Sequence, residues 1–179
     1  MMTQTHTFKY GESQELDAKL LEIEYRGFEA SFVVALPNQI EGIKSMIAKT
    51  IDPTMLNNAL NNMTATKVEV LLPKFKIETS ISLTQVLKNI NVIKLFKPTE
   101  SRLENLIKGS SGISLTDAVQ KAYINVNEEG TEAAASNGFF GLGGAGGPFI
   151  EPKLFHADHP FQFFIMLNNN ILFNGVYQS

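Results

Sequence analysis

The sequence predicts an α+β fold made mainly of antiparallel sheets with short helices. Residues 18–26 and 66–81 alternate apolar with polar side chains, as half-buried strands do. Residues 160–178 hold two apolar runs separated by consecutive asparagines, which is typical of a hairpin. The helix-like segments between residues 41 and 92 are short, so strands dominate the predicted fold.

The first predicted strand covers residues 18–26, where leucine, isoleucine and tyrosine alternate with glutamate. Residues 30–37 form a continuous apolar run that ends at a proline, which predicts a buried strand. The turn region around Gly27 lies between these two segments, so we expect them to pair antiparallel.

Two short helices are predicted next, at residues 41–51 and 52–63. Asp52 suits the cap of the second helix, and Pro53 suits its first position because a proline there loses no helical hydrogen bond. Residues 66–81 predict two strands with a bend at Pro73. A capping box at Ser82–Gln85 is expected to open a helix over residues 82–92.

The last third of the chain is predicted to be mostly strand. Residues 117–130 read as a long strand, with Ala122, Ile124 and Val126 on one face. The predicted hairpin turns at Asn168–Asn170. Its aromatic side chains are expected to lie in the core and not in a ligand pocket: Phe161, Phe163, Phe164 and Phe173.

Composition excludes several classes of function. The chain has 179 residues, a net charge of −3 and no cysteine, so thiol nucleophiles, thiolate metal sites and disulfides are absent. The acidic balance gives no electrostatic footprint for nucleic acid or anionic membrane. No apolar run approaches the ~20 residues of a membrane span. Residues 1–15 are polar and lack a signal-peptide core, so either the protein is not exported by a signal of its own in this chain or the chain begins downstream of such a signal.

The motif Gly141-x-Gly143-x-x-Gly146 matches a dinucleotide-binding pattern, but the sequence context contradicts that use. Such a loop must open a helix, and here Pro148 and Pro152 follow instead. His156, Asp158 and His159 have metal-like spacing, yet only the distant His6 could add a further histidine. No cofactor and no metal site are therefore expected.

Residues 130–136 have a composition that would suit insertion into a sheet. Written as a strand, Thr131, Ala133 and Ala135 share a small, uncharged face, and Glu132 lies on the other. Gly130 gives the conformational freedom that a hinge needs. An alanine-rich helical turn is the alternative interpretation.

Four stretches resemble the serpin family of serine protease inhibitors, and they follow one another in the family's order from one end of the chain to the other. Residues 126–136, VNEEGTEAAAS, look like the hinge of the reactive loop, and residues 155–178 resemble the C-terminal signature with its last two strands. Residues 66–96 are similar to the family's central block of strand, bend, strand and helix. Residues 1–37 resemble the beginning of the second half of the fold.

The resemblance implies a partial serpin domain over residues 1–179, with a reactive loop at about residues 128–149 and the N-terminal half of the fold absent. The scissile bond is implied at Gly144–Ala145, with Phe140 and Leu142 as alternatives because larger side chains anchor better in a protease. The implied hinge comprises Glu128, Glu129, Gly130, Thr131, Glu132, Ala133, Ala134, Ala135 and Ser136.

The implied function is suicide inhibition of a serine protease. No lysine or arginine occurs between Lys121 and Lys153, so a chymotrypsin-like or elastase-like target is expected and a trypsin-like one is not. The chain is expected to be inactive alone, because the loop must insert beside a strand of the missing half. The alternative is a non-inhibitory module that binds or self-associates through exposed sheet edges. The parent protein is expected to be extracellular, with a glycosylation motif at Asn62, and a cytoplasmic location is the alternative.

Overall fold

The computed structural model describes residues 1–27, 29–103, 106, 112–128, 151–168 and 170–178. The chain divides into two compact units. The larger unit contains Met1–Lys74 and Val126–Ser179, and the smaller one contains Phe75–Asn125.

The described residues form nine strands, three α-helices and one 3₁₀ turn. The strands are β1 (Met2–Ser13), β2 (Ala18–Glu24), β3 (Ala30–Pro37), β4 (Thr64–Leu72), β5 (Phe75–Ser82), β6 (Val119–Val126), β7 (Lys153–His156), β8 (Phe161–Leu167) and β9 (Asn170–Tyr177). The helices are α1 (Ile43–Thr50), α2 (Pro53–Asn61) and α3 (Thr84–Asn89), and the 3₁₀ turn is Lys94–Phe96.

The larger unit is built on a seven-stranded sheet in the order β7-β4-β1-β2-β3-β8-β9. Neighbouring strands are antiparallel except β4 and β7, which are parallel. The predicted antiparallel pairing of residues 18–26 with residues 30–37 is confirmed by β2 and β3. The sheet therefore has the mainly antiparallel character that the sequence predicts.

Helices α1 and α2 cover one face of this sheet and enclose its core. Alternate residues of the strands point toward the helices, and they pack against Met46 of α1 and Leu56 of α2. Asp52 caps α2, because its carboxylate Oδ1 accepts from the backbone N–H of Thr54 at 2.9 Å. The predicted cap and the Pro53 start of this helix are confirmed.

The smaller unit contains the two-stranded sheet of β5 and β6, together with α3. The predicted capping box of α3 is wrong: the N-cap is Leu83, with no side-chain cap hydrogen bond. Instead, the Thr84 hydroxyl donates to Asp117 at 2.5 Å and accepts from the N–H of Ala118 at 3.0 Å. The helix start is thus tied to the residues before β6, which no local pattern could indicate.

Two features of the large sheet differ from what the sequence predicts. The sequence pattern does not predict the strand β1, because most of its residues are polar. β1 is held in the sheet by backbone pairing with both β2 and β4. Phe173 is 49% exposed on β9, whereas Phe161, Phe163 and Phe164 are buried as predicted. β9 is the last strand of the sheet, so less of the protein covers it.

The C-terminal hairpin itself is confirmed. Asn168 has a φ of 48°, the left-handed conformation that asparagine tolerates in a tight turn. Gly175 lies opposite Phe163 in the β8–β9 pair. A Cβ atom at Gly175 would come within 2.3 Å of the Phe163 ring, so the close packing of this ring requires glycine.

Candidate functional site

The site predicted from sequence is a loop segment, and the structure describes its two ends. Glu128 is the one predicted hinge residue within the described part of the chain. The remaining hinge and bond residues lie outside the described residues: Glu129, Gly130, Thr131, Glu132, Ala133, Ala134, Ala135, Ser136, Phe140, Leu142, Gly144 and Ala145. Their assigned roles stay predictions.

The N-terminal end of the segment is held by an ion pair. The Lys74 ammonium Nζ lies 2.5 Å from the Glu128 carboxylate Oε1, and both side chains are about half exposed. The hydrogen bond from Lys74 is the main cause that lowers the pKa of Glu128 below its ordinary value of 4.5. The hinge therefore begins at a charged contact in water, which is a weak and reversible kind of attachment.

Lys74 is presented by the end of β4. Leu72 is 2% exposed and Pro73 is buried, so the backbone before Lys74 is fixed while its side chain reaches solvent. Proline cannot donate a hydrogen bond to a sheet, and β4 accordingly ends at Leu72. The bend predicted at Pro73 thus positions Lys74 beside Glu128, the first residue of the predicted hinge.

The C-terminal end of the segment is held by strand pairing and burial. β7 pairs in parallel with residues Val68–Leu71 of β4, and the Ala157 N–H donates to the Leu71 carbonyl at 2.8 Å. Phe155 is completely buried and Ala157 is 2% exposed. This end is therefore anchored in the core, in contrast to the exposed ion pair at the other end.

A polar cluster supports the beginning of β7. Lys153 Nζ lies 3.2 Å from Glu12 Oε1, and the Tyr10 hydroxyl donates to the same oxygen at 2.7 Å. These two hydrogen bonds, that of Tyr10 first, lower the pKa of Glu12. Burial, and then the Glu12 carboxylate, raise the pKa of Tyr10. Sequence reasoning missed this cluster, as it missed Lys74, because opposite charges far apart in sequence do not reveal their partners.

The residues that flank 129–150 are thus held at β4 or just beyond it: Glu128 pairs with Lys74, two residues past the end of the strand, and β7 pairs with the strand itself. Lys74 lies six residues beyond Val68, where β7 begins its pairing, and six residues of extended chain measure at most ~20 Å. Residues 129–150, fully extended, can span roughly 3.5 to 4 times that distance. Residues 129–150 are therefore much more numerous than is needed to connect the two attachment points.

Reversing the charge of Lys74 is expected to release the beginning of the hinge. Lys74→Glu places two carboxylates together, and we expect hydrogen exchange at Asn127 and Glu128 to quicken about two- to fivefold at pH 7. Mass spectrometry of peptides that span residues 119–128 measures this. Because the pKa of Glu128 is lowered in the folded protein, the contact is fully present above pH 4.5 and is lost as the pH falls through that lower value.

Two controls accompany this variant. The exchanged pair Lys74→Glu with Glu128→Lys should restore slow exchange, and Lys97→Glu, which breaks the exposed pair with Glu100, should leave residues 119–128 unchanged. Equal exchange in the Lys74→Glu variant and the parent protein at pH 7 would show that the ion pair does not hold the hinge.

Of the two histidines near β7, His159 is held by hydrogen bonds, whereas the buried Nε2 of His156 has no hydrogen-bond partner among the described residues. His159 Nδ1 lies 2.7 Å from Asp158 Oδ1, and its Nε2 lies 2.7 Å from the Pro37 carbonyl oxygen, so both ring nitrogens are engaged. His156 Nε2 lies 3.7 Å from Glu69 Oε1. His6 packs edge-on against Phe8 in β1. Within the described ranges, no three metal-ligating side chains gather in one place.

Sequence comparison with known proteins identifies the family of this chain. A sequence profile of the family described as Serpin (serine protease inhibitor) matches residues 1–179. The chain belongs to the serpin family. Alaserpin of Manduca sexta is 45% identical over 167 residues, which are 93% of this chain and 42% of alaserpin. Antichymotrypsin-2 of Bombyx mori is 43% identical over 177 residues, 99% of this chain and 46% of that protein.

The structural comparison gives the same serpin fold. Serpin48, a highly specific serpin of the insect Tenebrio molitor, matches with a TM-score of 0.75 and 37% identity, over 99% of this chain and 45% of that one. The chain thus spans less than half the length of these relatives. In the part of the chain that the structure describes, no helix is long and apolar enough to cross a membrane.

Proposed function

We propose that this protein acts in the inhibition of a serine protease as a suicide substrate, through the segment at residues 128–149. The observation that carries the proposal is the anchoring of both flanks of this segment, by an exposed ion pair to Lys74 on one side and by the pairing of β7 with β4 on the other. A protease could cut such a segment while the C-terminal piece stays in the core. In this role the protein supplies a substrate peptide and no catalytic group, so it is not an enzyme.

The proposed chemistry is the acyl transfer of ordinary peptide hydrolysis, and it stops at the acyl-enzyme ester. The serine oxygen of the protease attacks the carbonyl of the scissile residue, the peptide bond breaks, and the new amine stays on the piece that leads into β7. The N-terminal piece remains joined to the serine as an ester. Residues 128–136 then insert as a strand before water hydrolyses that ester, and ~15 inserted residues would carry the protease roughly 50 Å.

The proposed target is chymotrypsin-like or elastase-like. The segment contains Phe140 and Leu142, and no basic residue lies between Lys121 and Lys153. The name of the relative antichymotrypsin-2 agrees with this class of target. We keep Gly144–Ala145 as the scissile bond that the family resemblance implies, and cleavage after Phe140 or Leu142 as the alternative.

We propose that the protease cleaves the 179-residue chain by itself but is not held by it in a lasting covalent complex. Insertion beside β6 needs a strand on each side of the incoming segment, and within the described ranges β6 has β5 as its neighbour. The residues at alternate positions of β6 are exposed, with Tyr123 at 59% and Val119 at 54%. One half of the slot is therefore present, and its other side must come from additional chain.

A non-inhibitory strand-pairing module is the second candidate, and the surface of β9 favours it. Ile171, Leu172 and Phe173 are consecutive and each about half exposed. As the last strand of its sheet, β9 can pair with a strand of another chain. A mass in sedimentation that rises with concentration, without any protease, would support self-association over protease inhibition.

We propose that the parent protein is extracellular, and the exposed Asn62 makes this testable. Asn62 ends helix α2 and begins the motif Asn62-Met63-Thr64. When the chain is fused to a secretion signal and expressed in insect cells, we expect one glycan that a glycosidase removes. Asn62→Gln should abolish the shift in gel mobility, and Asn58→Gln, in the same helix but outside the motif, should retain it. An unshifted secreted chain would contradict the assignment.

The experiment that tests the inhibitory proposal is digestion of the chain with chymotrypsin, elastase and trypsin, followed by the mass of the C-terminal peptide. The proposal predicts that chymotrypsin or elastase cuts within residues 139–145 and that trypsin makes no cut between Lys121 and Lys153. If residues 139–145 resist both of the first two proteases while other parts of the chain are cut, the segment is no reactive loop.

A further inference from the structure

The large sheet has an open edge along the first half of β1. On one side of this strand, β4 pairs with residues Met2–Tyr10. On the other side β2 pairs with residues Lys9–Ser13, so residues 2–8 have no neighbouring strand there within the described ranges. The backbone N–H and C=O groups of residues 2–8 that point away from β4 can therefore pair with a further strand.

This edge lacks the features that usually discourage pairing. Natural edge strands carry charged side chains, prolines or bulges, each of which hinders the addition of a strand. Residues 2–8 read MTQTHTF and include no aspartate, glutamate, lysine, arginine or proline. Their pairing with β4 runs in an unbroken register from Met2 to Tyr10, so no bulge bends the edge away. The edge is therefore regular and able to accept another strand.

The side chains along this edge are accessible on both faces of the sheet. Thr3, Thr5 and Thr7 lie on one face, and all three are exposed. His6 is exposed on the other face, where it contacts the partly buried Phe8 edge-on. Between Thr3 and Thr7, neither face of the edge is fully covered by the described part of the chain.

The threonine face of this edge is complementary to itself. In an antiparallel pair of two copies with Thr5 opposite Thr5, Thr3 lies opposite Thr7 in both halves of the pair. Threonines that lie directly opposite each other form favourable cross-strand pairs. A pairing in this register therefore aligns three threonines of one copy with three of the other.

The other face is complementary in the same register. Gln4 lies opposite His6, and an amide and an imidazole can share a hydrogen bond. Met2 lies opposite Phe8, and a thioether beside an aromatic ring is a favourable contact. All seven residues thus find a suitable partner, and no like charges of acidic side chains, lysine or arginine lie opposite each other.

We propose that residues 2–8 of β1 pair antiparallel with the same residues of a second copy of this chain, with Thr5 on the two-fold axis. The pairing keeps each face of the sheet continuous from one copy to the other. The contact is isologous, so it closes as a dimer. The dimer uses a different edge from β9, and it does not rest on protease inhibition, because residues 2–8 include none of the residues that hold the loop ends.

The chain has no cysteine, so single cysteines can test the register. Thr5→Cys would bring two thiols opposite each other at a Cα distance of ~4.5–5.5 Å, which a disulfide can bridge. Under copper phenanthroline oxidation, we expect this variant to form dimers about tenfold or more faster than Glu78→Cys, an exposed position of the other unit. A mixture of Thr3→Cys with Thr7→Cys should cross-link faster than either variant alone. Thr5→Cys cross-linking no faster than Glu78→Cys would overturn the proposal.

Charges on the two-fold axis test the same contact without oxidation. Thr5→Lys and Thr5→Glu each place like charges opposite each other, so each variant alone should dimerise about fivefold or more weakly in sedimentation velocity. An equimolar mixture of the two should regain the dimer, because a lysine then lies opposite a glutamate. Leu172→Lys, at an exposed position of β9, is the matched control and should dimerise like the parent chain. A monomeric parent chain, or a dimer that Leu172→Lys abolishes and the Thr5 variants leave unchanged, would overturn the proposal.

Discussion

Chymotrypsin is expected to cut the 179-residue chain within residues 139–145 and to retain its full activity afterwards. The segment offers Phe140 and Leu142, which suit the binding pocket of this enzyme. Trapping would require residues 128–136 to insert between β6 and a further strand. Because the described sheet of the smaller unit consists of β5 and β6, the ester should hydrolyse before anything holds the enzyme.

A denaturing gel and the residual activity of the protease measure this outcome. We expect no band at the summed mass and a recovery of enzyme activity close to complete. If the bond that is cut is the alternative after Phe140 or Leu142, the double substitution Phe140→Ala with Leu142→Ala should slow cleavage at these two bonds by about tenfold or more, since one well-filled pocket is worth that much in specificity. A covalent band would show that the chain completes its own slot, and it would contradict the substrate-only proposal.

Phe164→Ala is expected to lower the free energy of unfolding by ~3–5 kcal/mol, since a buried aromatic ring leaves a cavity that the core fills only in part. Phe164 is 1% exposed and belongs to the cluster between the sheet and helices α1 and α2. In a chain of this length, such a loss corresponds to a fall in Tm of roughly 10 °C. Thermal and urea denaturation followed by circular dichroism measure both quantities.

Phe173→Ala is the matched control on the neighbouring strand. Phe173 is 49% exposed on β9, so its removal should cost less than ~1 kcal/mol. Similar losses at the two positions would mean that the exposed face of β9 is buried in solution, as self-association through this strand requires. The comparison thus tests the core and the second candidate function with one pair of variants.

Local patterns were sufficient wherever one face of an element is buried. Val68, Val70 and Leu72 are buried at alternate positions of β4, as the sequence indicates, and Asp52 caps α2 as its position predicts. The same logic fails for β1, where Thr3, Thr5 and Thr7 are exposed and the strand is held by backbone pairing on both sides. It fails for Phe173 because hydrophobicity does not distinguish an edge strand from a central one.

The candidate site, too, could be predicted from the sequence only in part. Sequence alone identified the family through the hinge and the C-terminal stretch, and the profile match confirms that membership. The hinge and bond residues beyond Glu128 lie outside the described residues, so their roles remain predictions. The contacts of Lys74 with Glu128 and of Lys153 with Glu12 join residues far apart in the chain, and no periodicity marks them.

The amino-acid sequence by itself determined the α+β class, the order of most strands and helices, and the family, because periodic burial and short motifs are encoded locally. Only the tertiary structure decided that Lys74, two residues beyond β4, contacts Glu128 and that β7 pairs with β4. The physical reason is that strand register and helix packing bring these groups together. The charge of a side chain shows which kind of group it can pair with. It does not show which distant residue the fold will bring beside it.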